Sequence, residues 1–407
     1  MSVDPQPPAD RPAPERTVPP APDPVAADWV AGTAAALGAG LGAAVDAGRF
    51  PGGVLVVGQA GAGRAVVSRG LVAPECGDVR PDEHTRYDLA SLTKVLATWP
   101  LVGAAVRTGL LDLDAPLRAA LPRLPPPGSY LTVRQLMNHT SGLLPQTGLA
   151  RYQHTGRPLI EHLCAEPLVS PPGVHHRYID RGFILLGLLL PELLGRPLPV
   201  LADALWRGLG LTATAYGPLP RNVRLAPTEQ RLRDAPRTWG IPHDPSAALL
   251  GGVAGHAGVF SSAADLAAFA EHLLGPAGPG SEPFGPSAPS PPTGPSSPSS
   301  PSSPSSPSEL SWLPGWFASS RRPLVAVEPG LSRGLAWLVA EQGPVAYHHG
   351  FTGTSLYLAP DTRRFVVLCT NAVYHGWDRT RLADLRAAAL HALLPPAGSR
   401  ERVAGSG

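Results

Sequence analysis

The chain has 407 residues, and its 33 lysines and arginines against 31 aspartates and glutamates give a formal net charge of only +2. Because nucleic-acid-binding proteins usually carry a marked basic excess, this balance gives no electrostatic case for binding DNA or RNA. Three cysteines lie far apart with no Cys-x-x-Cys pair, which argues against a disulfide framework or a zinc ribbon. The N-terminus lacks the apolar core of a signal peptide, and the most apolar run, residues 183–190, is too short to span a bilayer. These features predict a cytoplasmic protein with no membrane partner.

Proline-rich composition separates a folded region from its surroundings. Residues 1–25 are predicted to be a disordered tail, residues 275–308 a Pro/Ser-rich disordered insertion in a surface loop, and residues 397–407 a flexible tail. Such a composition cannot bury enough apolar surface to order itself. One domain is therefore predicted over residues 26–396, interrupted by the insertion.

The predicted elements place strands at both ends of this domain and helices in its middle. In chain order they are a helix over 26–47, paired strands over 54–59 and 64–72, a helix over 88–108, short helices and loops over 110–250, a helix over 261–274 with Ser262 as its N-cap, strands over 334–341, 345–349, 354–360 and 364–372, and a final helix over 380–394. This order predicts an α/β fold in which an antiparallel sheet, built from both chain ends, is flanked by helices and accompanied by a mainly helical region.

The lysine content singles out one position. Of the 33 basic residues, 32 are arginine and only Lys94 is lysine. Arginine cannot give up its proton in a protein, whereas a buried lysine can, so Lys94 is the first candidate for proton transfer. Ser91 lies three residues before it at the predicted start of a helix, which puts both side chains on one helix face. Unpaired N–H groups at a helix start also suit the stabilisation of an oxyanion beside a nucleophilic serine.

Further segments follow in a recognisable order. They are LTVRQLMNHTSGL (131–143), PPGVHHRYIDRGFILLG (171–187), GGVAGHAGVFSSAADLAAF (251–269) and YHHGFTGTSLYLAP (347–360). Together with Ser-x-x-Lys, they make the chain resemble the serine beta-lactamase-related family, which includes class C beta-lactamases, penicillin-binding proteins and their esterase relatives. The resemblance runs from about residue 27 to 394 and implies the beta-lactamase/transpeptidase-like fold.

The resemblance also implies roles for individual residues. Ser91 would be the acylated nucleophile, Lys94 the group that takes its proton, and Tyr178 the group that passes the proton towards the leaving group. A tyrosinate or a neutral lysine at pH 7 needs a depressed pKa, and we expect the mutual proximity of the cationic and phenolic groups to provide it. The backbone N–H groups of Ser91 and Phe351 would form the oxyanion hole. Asp180, His348, Gly350 and Phe351 would form the substrate-binding part of the site.

Two of these residues depart from the family pattern. Asp180 stands where asparagine is usual, so it either tunes Lys94 by charge or holds the loop. His348 replaces the lysine that attracts a substrate carboxylate in beta-lactamases and peptidases. A largely neutral imidazole loses most of that attraction, which favours esters or small amides over beta-lactams. The effect of His349, where threonine is common, stays open.

Other histidines are assigned no metal. Adjacent histidines at 175–176 and 348–349 point to opposite sides of an extended chain, and no His-Glu-x-x-His motif occurs. His139 is predicted to fix a turn, while a contact between His256 and the substrate is left open.

The sequence therefore predicts a serine hydrolase that forms an acyl-enzyme on Ser91, acts on a small-molecule ester or amide, and uses no cofactor. The enzymatic alternative is a beta-lactamase or D-alanyl-D-alanine carboxypeptidase. The alternative from another class is a catalytically silent binding or regulatory member of the family. The physiological substrate and the oligomeric state stay open.

Overall fold

The computed structural model describes residues 24–145, 148–232, 234–276 and 310–395. The tails predicted over 1–25 and 397–407 and the insertion predicted over 275–308 lie outside this part of the chain, except for residues 24–25 and 275–276. Residues 24 and 25 belong to the first helix, which begins two positions earlier than predicted.

The predicted strands near both ends of the chain are present, but the strand predicted over 334–341 is limited to Leu338–Ala340, and five further short strands occur between residues 86 and 333. In chain order, the strands are β1 (Gly52–Gln59), β2 (Gly63–Gly70), β3 (Arg86–Asp88), β4 (Ala215–Tyr216), β5 (Val259–Ser262), β6 (Val325–Glu328), β7 (Leu331–Arg333), β8 (Leu338–Ala340), β9 (Val345–His349), β10 (Ser355–Ala359) and β11 (Arg364–Thr370).

The helices occupy the first segment, the middle and the end of the described chain. They are α1 (Pro24–Asp46), α2 (Trp99–Arg107), α3 (Leu117–Ala120), α4 (Val133–Met137), α5 (Leu159–Ala165), α6 (Arg181–Leu194), α7 (Leu198–Gly208), α8 (Pro245–Leu249), α9 (Ala263–Leu273), α10 (Leu313–Ser320) and α11 (Ala383–Leu393).

Strands from both ends of the described chain form one antiparallel sheet. Its order is β2-β1-β11-β10-β9-β8-β7-β6, so the early strand β1 pairs with the late strand β11. Gly53 lies opposite Thr370 and Gln59 opposite Arg364 in this pairing. Residues 52–58 are buried throughout rather than alternately, because helices cover both faces of the sheet here. This architecture confirms the predicted fold class.

Helices α1 and α11 cover one face of the sheet. The buried residues of α1 recur at intervals of three or four, which gives the helix one apolar stripe. Leu37 and Leu41 on this stripe pack in one cluster with Leu55 of β1 and Val366 of β11. The first and last helices of the described chain thus share a core layer.

The opposite face supports the helical region and the larger core cluster. Helix α9 packs here, and Ser262 caps it by accepting a hydrogen bond from the Asp265 N–H, as the sequence predicts. Trp99 at the start of α2 packs against Trp316 and Trp337, with ring centroids 6.1 and 5.5 Å apart. Three buried indoles therefore tie α2 to α10 and to the sheet.

The predicted helix over 88–108 consists of three different turns. A 3-10 turn spans Ala90–Leu92, a π-turn spans Lys94–Thr98, and α2 follows. Pro100 has no N–H to donate to the carbonyl of Leu96, and its ring crowds that carbonyl. The Leu96 carbonyl instead accepts a hydrogen bond from the Trp206 indole at 2.9 Å. Proline thus explains the wide turn that carries Lys94.

Helix α1 is also the one described helix that is long and apolar enough to cross a membrane by length and composition. Seven of its 23 residues are buried, and its stripe packs on the sheet. Buried core helices of globular proteins meet the same length and composition criterion. The predicted cytoplasmic location stays a prediction.

Candidate active site

Ser91 lies in the tight turn that connects β3 to α2. The preceding residue, Ala90, has a φ of +44°, a left-handed conformation that residues other than glycine rarely adopt. Its N–H donates a 2.8 Å hydrogen bond to the buried carboxyl group of Asp88, which also accepts one from the His243 N–H at 2.6 Å. A buried carboxyl group therefore holds the strained turn on which Ser91 is presented.

The loop after β9 packs directly against this turn. Thr354 Oγ1 donates to the carbonyl of Leu89 at 3.2 Å. A Cβ atom at Gly350 would lie 2.1 Å from Thr354 Oγ1 and 2.3 Å from the Leu89 carbonyl oxygen. The close packing of this loop on the turn before Ser91 therefore requires glycine at position 350. Within the described residues, the N–H of the next residue, Phe351, has no hydrogen-bond partner. It is free to serve with Ser91 as the predicted oxyanion donor.

The Phe351 ring lies in an aromatic stack at the edge of this loop. It is 48% exposed and stacks on Trp377, with ring centroids 5.8 Å apart and planes at 4°. The ring of His243 also stacks on it, with centroids 5.3 Å apart. These ring contacts restrict the Phe351 side chain beside the loop backbone.

Lys94 has no exposed surface and three hydrogen-bond acceptors. Its Nζ donates to Ser91 Oγ at 2.9 Å, to Asp180 Oδ1 at 2.7 Å and to the carbonyl of His256 at 3.1 Å. An ammonium group has three protons and no lone pair. All of its donors are therefore engaged, and the ammonium form offers no position for the Ser91 proton.

The charge state of Lys94 differs from the expectation. Burial by itself lowers the pKa of Lys94, but the charge of Asp180 and the interaction with Tyr178 outweigh burial and hold the pKa above its ordinary value. The alternative in which the pKa of Lys94 is depressed is therefore wrong. The physical reason is that the carboxylate of Asp180 and the neighbouring Tyr178 together stabilise the ammonium form more strongly than desolvation penalises it.

Asp180 faces Lys94 because it does not cap the helix that it precedes. It occupies the N-cap position of α6, yet its side chain makes no capping hydrogen bond there. Burial raises the pKa of Asp180, but the adjacent Lys94 and His256 bring it below the ordinary value, so the residue is a carboxylate. The two interpretations that the sequence left open, tuning by charge and holding a loop, are thus both compatible with this ion pair.

Tyr178 lies at the surface of the site, is 41% exposed, and has two cations near its ring. Lys94 Nζ is 5.1 Å and the Arg333 guanidinium carbon 5.4 Å from the centre of its ring. The ring of His139 packs against it at 4.4 Å. His139 Nδ1 lies 3.0 Å from the carbonyl of Ile179, a contact that fits the predicted turn-fixing role.

The two adjacent histidines of β9 point to opposite sides. The His348 ring is buried and lies 6.3 Å from that of Tyr178, whereas His349 Nε2 lies 2.9 Å from the hydroxyl of Tyr357. Burial, then the nearby Arg333, lowers the pKa of His348 well below its usual range, and burial lowers that of His349 to about 3. His348 is thus neutral, as the sequence predicts.

His256 contacts the site through its backbone, on the buried side of Lys94 Nζ. Its backbone carbonyl accepts from Lys94, and its ring Nε2 lies 2.8 Å from Asp244 Oδ1. Asp244 also caps α8 by accepting from the Ala247 N–H at 2.8 Å. Because His256 is 1% exposed, its side chain offers almost no surface for contact with a substrate.

The structure brings together Ser91, Lys94, Tyr178 and Asp180, four residues that the sequence predicts for the site, and adds supporting residues that the sequence did not single out. Asp88, Asp244 and Arg333 carry no local motif in the segments that we compared. The signal available for the first two was an acidic residue close to a segment already singled out: Asp88 lies three residues before Ser91, and Asp244 seven residues before Gly251. No such sequence signal was available for Arg333.

With this geometry established, comparison with known proteins gives the family. The sequence model of the Beta-lactamase family matches residues 6–391, and the chain belongs to this family. Its members include serine hydrolases, namely beta-lactamases, carboxypeptidases and esterases.

Two curated relatives have related names. A protein named putative D-alanyl-D-alanine carboxypeptidase from Escherichia coli K12 is 29% identical over 232 residues, which is 50% of this chain and 54% of that protein. A protein named N-acetylmuramyl-L-alanine amidase from Bacillus subtilis 168 is 32% identical over 221 residues, 47% of this chain and 50% of that protein. The chain therefore matches about half the length of each.

Solved structures share the fold over most of the chain. A beta-lactamase/D-alanine carboxypeptidase from Pseudomonas syringae has a TM-score of 0.65 at 17% identity, covering 91% of this chain and 100% of the other. EstCE1, described as a hydrolase with promiscuous acyltransferase activity, has a TM-score of 0.64 at 21% identity, covering 90% and 99%. At these identities the likeness concerns the fold.

Proposed function

We propose that the chain is a serine hydrolase that forms an acyl-enzyme on Ser91 and acts on esters or small amides. The observation that carries the proposal is the hydrogen bond between Ser91 Oγ and the wholly buried Lys94 Nζ, with Asp180 bound to the same amine and Tyr178 beside it. A serine, a proton-carrying amine and a group that orients the amine form the arrangement that activates a nucleophile.

In the reactive form of the enzyme, Lys94 and Tyr178 together carry one proton fewer than in the resting form. In that form, Ser91 Oγ attacks the substrate carbonyl carbon, and the Oγ proton restores the full complement of protons on the pair. The carbonyl oxygen becomes an oxyanion, which the N–H groups of Ser91 and Phe351 stabilise. As the oxyanion collapses, the bond to the leaving group breaks, and the pair returns a proton to the departing oxygen or nitrogen.

Hydrolysis then repeats the same proton movements with water. Water gives one proton to the Lys94–Tyr178 pair and attacks the acyl carbon, and the released Ser91 oxygen takes that proton back. Because the ion pair with Asp180 raises the pKa of Lys94, the reactive form is scarce at neutral pH. The rate is therefore expected to increase as the pH rises.

The substrate class is supported by the neutral state of His348 and by the relatives. A neutral imidazole gives little attraction for a carboxylate at that position. The names of the curated relatives refer to amide bonds, and EstCE1 is named as a hydrolase with acyltransferase activity. Both chemistries proceed by attack at a carbonyl carbon.

The test is the intact mass of the protein after exposure to a fluorophosphonate and, separately, to a penicillin. We expect a stoichiometric adduct with the fluorophosphonate that Ser91→Ala abolishes. Ser68→Ala, in the distant strand β2, is the matched control and retains the adduct.

Each outcome has a distinct meaning. Labelling by the fluorophosphonate alone supports the esterase or amidase assignment. Labelling by both reagents favours the beta-lactamase or carboxypeptidase alternative. Folded protein that reacts with neither reagent contradicts the proposal and favours a catalytically silent member of the family.

A further inference from the structure

An arginine on the last described helix holds the loop between β9 and β10. Arg386 lies on α11, and its Nη2 donates to the Gly350 carbonyl at 2.8 Å and to the Thr354 carbonyl at 3.2 Å. Its Nε donates to Ser355 Oγ at 3.1 Å. One side chain therefore joins both ends of this loop to the first residue of β10.

The charge of Arg386 is not neutralised by a carboxylate. In the part of the chain that the structure describes, all of its hydrogen-bond acceptors are uncharged oxygens and no aspartate or glutamate pairs with it. The side chain is partly buried, and burial is the main cause that lowers its pKa, but an arginine stays charged at neutral pH. Because a charged donor makes a hydrogen bond roughly twice as strong as a neutral one, the guanidinium binds these main-chain carbonyls tightly.

The carbonyl that Arg386 contacts at 2.8 Å belongs to the peptide unit that supplies the Phe351 N–H. A peptide unit is planar, and in a trans unit the N–H points away from the carbonyl, so fixing one fixes the other. The Gly350 carbonyl also accepts from the Gly353 N–H at 3.2 Å, which uses its second lone pair. Rotation of this peptide unit would break both hydrogen bonds.

A hydrogen bond to a peptide oxygen also strengthens the donor at the other end of the same unit. Resonance couples the two ends, so a cation at the oxygen draws electron density from the nitrogen. Cooperative strengthening of this kind is about 10–30% per hydrogen bond. Since the Phe351 N–H has no partner within the described residues, the gain is available to an oxyanion of the substrate.

We propose that Arg386 is a positioning residue for the oxyanion hole, which orients the peptide unit between Gly350 and Phe351 and strengthens its N–H as a donor. The inference rests on the proposed hydrolase and adds to it a group that acts on the transition state without contacting the substrate. Because the oxyanion carries more negative charge than the ester carbonyl, loss of Arg386 is expected to lower kcat more than it raises KM.

The test compares an ester with its thionoester, in which sulfur replaces the carbonyl oxygen. Sulfur is a weak hydrogen-bond acceptor, so the thionoester gains little from the donors of an oxyanion hole. We expect the wild type to prefer the ester by about 100-fold or more in kcat/KM. Arg386→Met keeps an unbranched apolar stem but no donor. It is expected to lower kcat for the ester about tenfold and to lower the ester-to-thionoester ratio by a similar factor.

This ratio separates positioning from support of the fold, because the intrinsic reactivity of the two substrates cancels between variants. If Arg386 only held α11 in place, both substrates would lose activity equally and the ratio would keep its wild-type value, which would overturn the inference. Arg363→Met is the matched control. Arg363 Nε also donates to a main-chain carbonyl, that of Leu274 at 3.0 Å, but lies in the turn at the opposite end of β10. It is expected to keep both kcat and the ratio.

A second variant decides if Arg386→Met does not fold by circular dichroism. Arg386→Gln can still donate to one carbonyl but carries no charge, and it is expected to lower the ratio about threefold. A wild-type ratio in this variant would overturn the inference. A ratio close to one in the wild type itself would do the same, whichever variants fold.

The fluorophosphonate adduct distinguishes failure of the inference from failure of the proposed hydrolase. A wild type that forms the Ser91 adduct and hydrolyses the ester, with a ratio that Arg386→Met leaves unchanged, contradicts only the positioning role. A wild type that forms no adduct and turns over neither substrate contradicts the proposed hydrolase, and the positioning role with it.

Discussion

Lys94 and Asp180 form a 2.7 Å ion pair across 86 positions of sequence, and the lysine side chain is completely buried. The carboxylate keeps the lysine protonated despite its burial. A protonated Lys94 can hold and orient Ser91, but a proton must leave the site before attack. The ion pair therefore couples the rate of the proposed reaction to pH.

Replacing Asp180 by asparagine is expected to shift the pH profile to lower pH. The raised pKa of Lys94 depends on the Asp180 charge, so the profile of kcat/KM in the wild type should rise towards alkaline pH. Without that charge, its rising limb should move down by about one pH unit or more. The measurement is kcat/KM for a neutral ester between pH 6 and pH 10. Asp114→Asn, which breaks an exposed pair with Arg134, should leave the limb in place. If the kcat/KM profile of Asp180→Asn rises at the same pH as that of the wild type, the coupling between the Lys94–Asp180 ion pair and the pH dependence of the rate is contradicted.

Lys94→Arg is expected to lower acylation by about a thousandfold or more. Arginine preserves the charge but does not release its proton, so it cannot take part in the transfer from Ser91. The measurement is the rate constant for the fluorophosphonate adduct by mass spectrometry, with folding checked by circular dichroism. A variant that labels at a rate similar to the wild type would show that Lys94 serves only as a positive charge.

Gly350→Ala is expected to reduce kcat by about a hundredfold. The new Cβ would collide with Thr354 Oγ1 and the Leu89 carbonyl and push the Phe351 N–H away from the oxyanion. Loss of one such donor costs about 10²–10³ in rate. Gly32→Ala in α1 is the control, because a Cβ there meets nothing within 4 Å. Similar kcat values for Gly350→Ala and the wild type would exclude this role of the loop.

The parts of the site that could be predicted are those with a local pattern. The interval between Ser91 and Lys94 determines their shared helix face, and the strands near both ends of the chain follow from short apolar runs bounded by turn residues. The pKa of Lys94 could not be obtained in this way, because its direction depends on whether Asp180 caps α6 or faces the amine. The position of Arg333 beside Tyr178 depends on how β7 and α6 approach each other in space, and no spacing along the chain encodes it.

Two partly buried histidines, His176 and His349, are expected to make the protein less stable in acid. The pKa of His349 is lowered to about 3 and that of His176 to about 4, both mainly by burial. Between these values and an unfolded pKa near 6.5, the unfolded chain binds more protons than the folded chain. The free energy of unfolding should therefore be greatest above about pH 6.5 and fall as the pH decreases through this window. His349 contributes at most about 1.4 kcal/mol per pH unit, and the half-buried His176 contributes less because solvent screens its charge.

His349→Gln tests this dependence because glutamine does not titrate and its amide can still bond to the Tyr357 hydroxyl. Urea unfolding at pH 7.0, 5.5 and 4.5 should show a smaller loss of stability for the variant than for the wild type. His84→Gln, which replaces an exposed histidine, is the control and should follow the wild type. Since the His349 ring bonds to Tyr357 rather than lying beside Tyr178, kcat/KM of the variant should stay within about threefold of the wild type. A pH dependence identical to that of the wild type would mean that His349 is hydrated and titrates normally in the folded protein.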